Sequence, residues 1–567
     1  MTAELSPLIG INEIQTNKLQ EVKERVRNTS VAMIMTPSPF LADARVFPFL
    51  GGLKVAAELR KNGNPISVLD LAGYSHEACE EIIDQFIQIK PETKTFALTA
   101  TTPQLPSAIV IAKEIRKRIP DAKIILGGPH VTLTHTAYLE DQVTGNQGRG
   151  SKAFNQLQEH FDTLVVGDGE EAIFHAIDDK SQDKIIDAGN LLSPLYLKKG
   201  TLENYEYPAR DLIDMDSYHY YIDGHRAFSI ISQLGYPFKC GFCGGRLSHV
   251  FRAIRSREVE DVIEEVESVI TASVMRALES NDPEKVLTAA MFYDDELNVN
   301  KKEKTLEKLC EGLIKMQAKL AREISPEIKT KLGIKTEVVD GEERVVMRFR
   351  GFVKAELFTE EQAKLMYAAG FREVLSGVES GSDKILNAMQ KNTSREVNSR
   401  CVQYAHNAGM RFKALMSIGH PGESSETIIE SIEWAKANLR EGDEIDWTVI
   451  TQYPGSPYFD RSYFDKDRNV WVYEFEDKKS KEILRLYSYP SDFTTDVHNY
   501  KGIPGNYVAY VFTDYLSAED LVRWRDYAEQ TTRVEFLKHN PIKAIEANQF
   551  DHSMGQGLPH SVYKSSN

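Results

Sequence analysis

Short apolar runs alternate with helical periodicity through the first third of the chain. Val31-Ala32-Met33-Ile34-Met35 reads as a buried strand that runs into the loop Thr36-Pro37-Ser38-Pro39. A helical stretch follows from Gly51 to Lys61, then the strands Ile66 to Asp70 and Phe96 to Ala100. A helix from Ser107 to Arg118 leads into Lys123 to His130, and Thr163 to Val166 ends in Gly167-Asp168-Gly169-Glu170. Strands separated by helices predict a parallel, doubly wound sheet whose ligand lies at the carboxyl ends of the strands. The glycine-bearing loop from Thr144 to Lys152 reads as mobile or inserted, and Asp183 to Tyr220, with Pro194 and Pro208, as a surface linker.

A second strand–helix series begins near Ile230. Strands are predicted at Ala227 to Ser232, at a run ending in Met291 to Glu296, and at Val345 to Val353, Glu373 to Val378, Arg411 to Ile418 and Asp446 to Thr451. Helices fall at Ser256 to Val269, Lys304 to Lys319, Glu360 to Ala369, Ser394 to Ala408 and Ser425 to Asn438. Six strands with intervening helices predict a partial (β/α)6 barrel with its chemistry at the carboxyl ends. Ala272 to Val286 reads as an added helical excursion and Glu327 to Glu343 as a charged surface insertion.

Composition narrows the classes. A chain of 567 residues suggests more than one domain, and 41% hydrophobic residues suffice for large cores. A net charge of -16 argues against a broad phosphate-tracking surface, so no nucleic-acid partner is expected. No apolar run spans a bilayer and Met1 to Gln20 carries no secretory pattern, so neither a membrane nor export is expected. The five cysteines, Cys79, Cys240, Cys243, Cys310 and Cys401, are too few and scattered for a disulfide framework, and a reducing cytoplasm is the simplest compartment.

The chemistry centres on Gly235-Tyr236-Pro237-Phe238-Lys239-Cys240-Gly241-Phe242-Cys243, a loop directly after a strand. A lone C-x2-C also suits zinc or a redox loop, but no second ligand pair is present for zinc and no thioredoxin-like unit surrounds it. The loop instead looks like the last two thirds of a C-x3-C-x2-C iron–sulfur segment whose first position holds Tyr236. Further motifs follow at successive strand ends: Tyr293-Asp294-Asp295-Glu296, Gly377-Val378-Glu379-Ser380-Gly381-Ser382, Ile418-Gly419-His420-Pro421-Gly422-Glu423 and Tyr453-Pro454-Gly455-Ser456-Pro457. Each alone is compatible with an ordinary acidic loop or a strand–helix turn.

Together, from about Met33 to Phe536, they resemble the cobalamin-dependent radical S-adenosylmethionine (SAM) enzymes. The resemblance implies a cobalamin-binding doubly wound domain over 1–182, a linker over 183–225, a partial radical SAM barrel over 226–463 and an α-rich cap, concerned with substrate, over 464–567. It implies a [4Fe-4S] cluster on Cys240 and Cys243, with Tyr236 at the position of the third ligand, because soft thiolates suit iron–sulfur clusters. SAM is implied against Phe242, Asp294, Asp295, Glu379, Ser380, Ser382, Gly419 and Pro421. Cobalamin is implied against Thr36, Pro37, Ser38, Thr99, Gly127, Gly128, His130, Gly167, Gly169 and Glu170. No D-x-H-x-x-G sequence follows Leu69-Asp70, so no histidine from that motif reaches cobalt; Gly73-Tyr74-Ser75 follows the same strand.

The function implied is radical methylation of an unactivated carbon in a small molecule, with flavodoxin or ferredoxin as electron donor if the cluster is present. Ring closure or contraction, and polar methyl transfer through cobalamin, use the same architecture. Tyr236 keeps another class open: a cobalamin- or SAM-binding carrier, sensor or partner subunit. A phenolate can bind iron but is a harder ligand than thiolate and is costly to form near neutral pH. His249, Arg252 and Arg255, just after the loop, either face the site or pair with surface acids.

Overall fold

The computed structural model describes residues 18–38, 45–144, 148–294, 296–495, 508–538 and 562–566. Its first sheet holds strands β1 (Val31–Met35), β2 (Ile66–Asp70), β3 (Thr95–Thr99), β4 (Lys123–Gly127), β5 (Thr163–Gly167) and β6 (Ile185–Ala188). They run parallel in the order β2-β1-β3-β4-β5-β6. Every residue of β1 and β2 is buried, as helices on both faces require, and this is why they read as unbroken apolar runs. The order reverses between β1 and β3, which opens a crevice at their carboxyl ends. β6 falls inside the segment expected to be linker. Its alternating burial, one residue in and one out, left no apolar run to mark it.

The second sheet begins with β7 (Tyr221–Ile222), antiparallel to β8 (His225–Ile230). The pair β9 (Gln233–Leu234) and β10 (Arg255–Ser256) closes the base of the cysteine loop. Then come β11 (Ala289–Phe292), the hairpin β12 (Thr336–Val339) and β13 (Glu342–Val345), β14 (Arg348–Phe352), β15 (Phe371–Glu379), β16 (Arg411–Ile418) and β17 (Glu444–Val449). β8, β11, β14, β15, β16 and β17 are parallel and adjacent in chain order, an open barrel of six strands. The run from Val345 to Val353, expected to be one strand, is split between β13 and β14. The excursion expected after Val269 is the continuation of one helix, Val259–Ser280, which stops where Asn281 turns left-handed at φ 51°. The charged insertion contains the mostly exposed β12–β13 hairpin, with its turn at Asp340-Gly341.

The cap is not simply α-rich. β18 (Tyr463–Asp465), β19 (Val470–Glu476), β20 (Ile483–Ser488) and β21 (Val511–Thr513) form an antiparallel sheet before the helix Ala518–Glu529. That helix covers the free edge of β17: Glu529 accepts from the Trp447 amide at 3.0 Å, and Arg525 donates to the Trp447 carbonyl at 3.3 Å. β22 (Tyr563–Ser565) returns to the first sheet, antiparallel to β2.

Two arginines, one buried and one half-buried, lock the halves together. Arg255 lies 2.5 Å from Asp168, whose carboxylate also takes the Leu197 amide, so Arg255 pairs with the first domain rather than with surface acids. Arg149, in the segment expected to be mobile, opens the helix Arg149–His160. Its guanidinium stacks over the Phe459 ring at 3.8 Å and donates to the Tyr458 and Phe459 carbonyls, to Gln452 and to Ser488. Burial drops its pKa to about 9.

Candidate active site between two sets of strand ends

The carboxyl ends of the first sheet meet the cysteine loop across a cleft of about 470 Å³. Thr101, Thr102, Pro103, Pro129 and Leu133 form one wall; Tyr236, Phe238, Cys243, Gly244, Gly245 and Arg246 form much of the other.

The first-domain residues named from sequence stand behind this wall and set its shape. Thr36 donates to the Thr99 carbonyl at 2.7 Å and accepts from Gln104 through its own carbonyl at 2.8 Å, tying the β1 and β3 loops together; Pro37 and Ser38 continue the β1 loop. Gly128, after Gly127, holds φ 98°, and a Cβ there would sit 2.5 Å from the Thr99 hydroxyl, so the turn admits only glycine. His130 is fully buried: its amide donates to the Ala100 carbonyl and its Nδ1 meets the Thr102 hydroxyl at 2.9 Å. Burial lowers its pKa to about 3, so the imidazole is neutral and braces two loops without lining the cleft. The Gly167 amide donates to Thr132, and Gly169 and Glu170 open the helix Gly169–Ala176; burial raises the Glu170 carboxyl.

The cysteine loop is held through its backbone. Gly235, at φ 89°, leaves no room for a Cβ, which would lie 1.9 Å from the Ala253 carbonyl oxygen. The Tyr236 amide donates to the Phe251 carbonyl, the Gly241 amide to Met389, and the Tyr458 amide to Gly241. Cys240 is buried and Cys243 half-buried. Burial raises the Cys240 thiol, while Lys391 and Lys354 oppose the rise. Burial, then Glu296, Cys240 and Glu356, pushes the Tyr236 phenol far above its usual range. Phe242 lies against His420, their rings 5.2 Å apart.

The barrel turns hold a continuous chain of side chains. Glu379 adopts φ 64° at a register shift in β15, and its carboxylate accepts from Lys391 at 3.3 Å and from Ser417 at 2.7 Å. The Ser417 hydroxyl meets His420 Nε2 at 2.8 Å, and His420 Nδ1 meets the Tyr458 hydroxyl at 3.3 Å. Burial, reinforced by Lys391, lowers His420 to about 3, while burial raises the Glu423 carboxyl to about 7. Ser380 shares its hydroxyl with Ser431, and Ser382 stands at the helix start without capping it, both buried; Gly419 and Pro421 shape the turn after β16. Asp294 holds the Ser232 amide and hydroxyl and the Gln233 amide, so it orients the cysteine loop. Asp295 lies outside the described residues. Lys354, Lys391, Ser417, His420 and Tyr458 were not singled out from sequence. Only His420 had a signal, its place in the Gly-His-Pro-Gly-Glu turn.

Residues 46–158 match the B12 binding domain profile and residues 300–435 that of the Radical SAM superfamily. The chain thus carries a B12-binding domain followed by a radical SAM domain, the domain pair of the cobalamin-dependent radical SAM enzymes. The second match begins beyond the cysteine loop, so it stands independently of Tyr236. An uncharacterized methyltransferase of Pyrococcus horikoshii is 24% identical, covering 71% of this chain and 76% of its own length. An anaerobic magnesium-protoporphyrin IX monomethyl ester cyclase of Cereibacter sphaeroides is also 24% identical, over 67% of this chain and 54% of its own. The fold is shared with the radical SAM methyltransferase TsrM of Kitasatospora setae, with TM-score 0.52, 14% identity and coverage of 91% and 90% of the two chains.

The two domains imply cobalamin, SAM and a [4Fe-4S] cluster. The carboxylate of Glu379 fits an ammonium. The cluster fits less well. Cys240 and Cys243 supply two thiols, but Cys79 is buried in the core of the first domain and Cys310 and Cys401 in that of the barrel. Among the described residues no three His, Cys, Asp or Glu side chains gather as a metal site. No helix among them is long and apolar enough to cross a membrane.

Proposed function

We propose that this enzyme transfers a methyl group from SAM, by way of cobalamin, to a carbon of a small molecule. The supporting observation is the cleft itself: the strand ends of the B12-binding domain face the cysteine loop directly, as a reaction drawing on cobalamin from one wall and SAM from the other requires. When bound, cobalamin supplies a methyl carrier and SAM the methyl source. The chain's part is to hold them: Glu379 offers a carboxylate to the SAM ammonium, and Lys391 holds that carboxylate in place. A low-potential donor of the flavodoxin or ferredoxin class serves as reductant. The five cysteines form no disulfide, in keeping with a reducing cytoplasm.

The cyclase among the relatives supports ring closure as the second reading. Anaerobic protein carrying cobalamin, iron and sulfide is given methyl-labelled SAM and a reductant. Label on cobalamin, then on a small-molecule product, supports methylation. SAM consumption with the label on neither overturns it. Failure to consume SAM or to methylate cobalamin leaves the carrier or sensor class that Tyr236 suggests.

A further inference from the structure

The geometry points to His420 as a positioning residue for SAM: it fixes the Ser417 hydroxyl on the Glu379 carboxylate and so keeps that carboxylate aimed at the SAM ammonium. This rests on Glu379 as the partner of the ammonium but not on methylation. The protons along the chain of side chains have one arrangement. The Ser417 hydroxyl donates to Glu379 Oε2 at 2.7 Å, which uses its single proton. Towards His420 Nε2, 2.8 Å away, Ser417 then only accepts, so Nε2 carries the N–H. Burial, reinforced by Lys391, keeps the imidazole neutral, so Nδ1 is bare and accepts from the Tyr458 hydroxyl at 3.3 Å. The hydrogen bonds therefore run one way, from Tyr458 through His420 and Ser417 to Glu379.

Both ends of this chain are fixed by the backbone. Tyr458 is fully buried, its amide donates to the Gly241 carbonyl, and a Cβ on Gly241 would lie 2.6 Å from the tyrosine ring, so the cysteine loop sets where the tyrosine stands. Glu379 takes φ 64°, a left-handed conformation uncommon for a residue with a side chain, at the register shift in β15. Such a backbone persists where its surroundings over-determine it. Here Lys391 grips Oε1 at 3.3 Å and Ser417 grips Oε2. Between the two ends, Gly419 at φ 91° and Gly422 at φ 80° fold the turn so that His420 reaches back to Ser417. A neutral imidazole with a donor on one nitrogen and an acceptor on the other suits that place, because it passes the orientation of Tyr458 on to Ser417.

The test uses full-length protein, anaerobically reconstituted with iron, sulfide and hydroxocobalamin. It is titrated calorimetrically with SAM and with 5′-methylthioadenosine, which lacks the amino-acid part of SAM. His420→Phe keeps a ring and removes both polar contacts, whereas His420→Gln restores a donor towards Ser417. His420→Phe is expected to bind SAM about two- to tenfold more weakly, the range for one lost hydrogen bond, and methylthioadenosine as the unaltered chain does. His420→Gln is expected to recover most of the SAM affinity. Ser417→Ala, the smaller change, is expected to give the pattern of His420→Phe by itself, and adding His420→Phe to it is expected to cost less than about twofold more. The inference is overturned if His420→Phe and Ser417→Ala leave SAM affinity unchanged, or if they weaken both ligands alike, as general loosening of the barrel would. It is equally overturned if His420→Phe keeps its full effect beside Ser417→Ala, or if His420→Gln recovers nothing. Glu379→Gln separates this inference from the reading beneath it. If that variant binds SAM as the unaltered chain does, Glu379 is not the partner of the ammonium and both fall together. If it weakens SAM and spares methylthioadenosine while His420→Phe does neither, Glu379 keeps its role and the inference alone fails.

Discussion

The cysteine loop and the β15–β16 turns lie side by side at the mouth of the barrel and are built by opposite means. The loop is fixed by main-chain bonds from Tyr236, Gly241 and Cys243. The turns are fixed by side chains: Lys391, Glu379, Ser417, His420 and Tyr458 hold one another in a buried chain. A backbone-held loop tolerates a change of side chain at Tyr236, because its amide makes the bond that holds it. A side-chain network does not, because removing one member strands the rest in low dielectric.

The sharpest way to break this contrast is at the thiols. Cys240→Ser or Cys243→Ser should abolish stable iron binding, measured by iron content, yet shift unfolding by only about 1 kcal/mol. Large destabilisation would mean that the thiols support the loop after all. Glu379→Gln should do the reverse, costing about 3–5 kcal/mol in denaturant unfolding because Lys391 is left buried without its carboxylate. SAM affinity, read by calorimetric titration, should fall with it. Pairing it with Lys391→Met should recover part of the loss, and a double-mutant cycle measures how much.

Arg149→Met tests the same logic between domains. Several acceptors from Gln452 to Ser488 lose their donor, so about 2–3 kcal/mol and a separate transition for the first domain are expected in calorimetry. Gly128→Ala, in a backbone-held turn, should cost about 1–3 kcal/mol and weaken hydroxocobalamin binding, checked by melting and spectral titration.

The smallest effects are in pH. His130 and His420 fall from 6.5 to about 3 on folding, so the unfolded chain binds more protons between those values. Their contribution is present above pH 6.5 and is lost as pH falls toward 3. Glu423 rises from 4.5 to about 7, so its contribution is present below pH 4.5 and lost as pH rises through 7. Stability against pH for His130→Gln should therefore show a shallower acid limb, and Glu423→Gln a shallower loss toward neutrality.

Most of the fold was legible. β1, β2 and β16 and the helices Glu360–Ala369 and Ser425–Asn438 follow their sequence boundaries, because strands buried on both faces and helices with one apolar stripe write their period into the chain. Where burial is one-sided or the pairing is remote, as in β6, the cap sheet and β22, the local pattern is short and the partner strand decides.

The site divides along the same line. Sequence alone determined the motifs and the order of their turns, since a glycine needed at φ 98° or a pair of thiols two residues apart is a local requirement. It could not show that Asp294 orients a loop, that His130 is sealed in, that Lys391 belongs to Glu379, or that Arg149 joins the two halves. Those roles depend on which side chains burial forces together from distant parts of the chain. Burial is also what makes a charge or a hydrogen bond there worth more than it would be in water, so only the tertiary structure decided them.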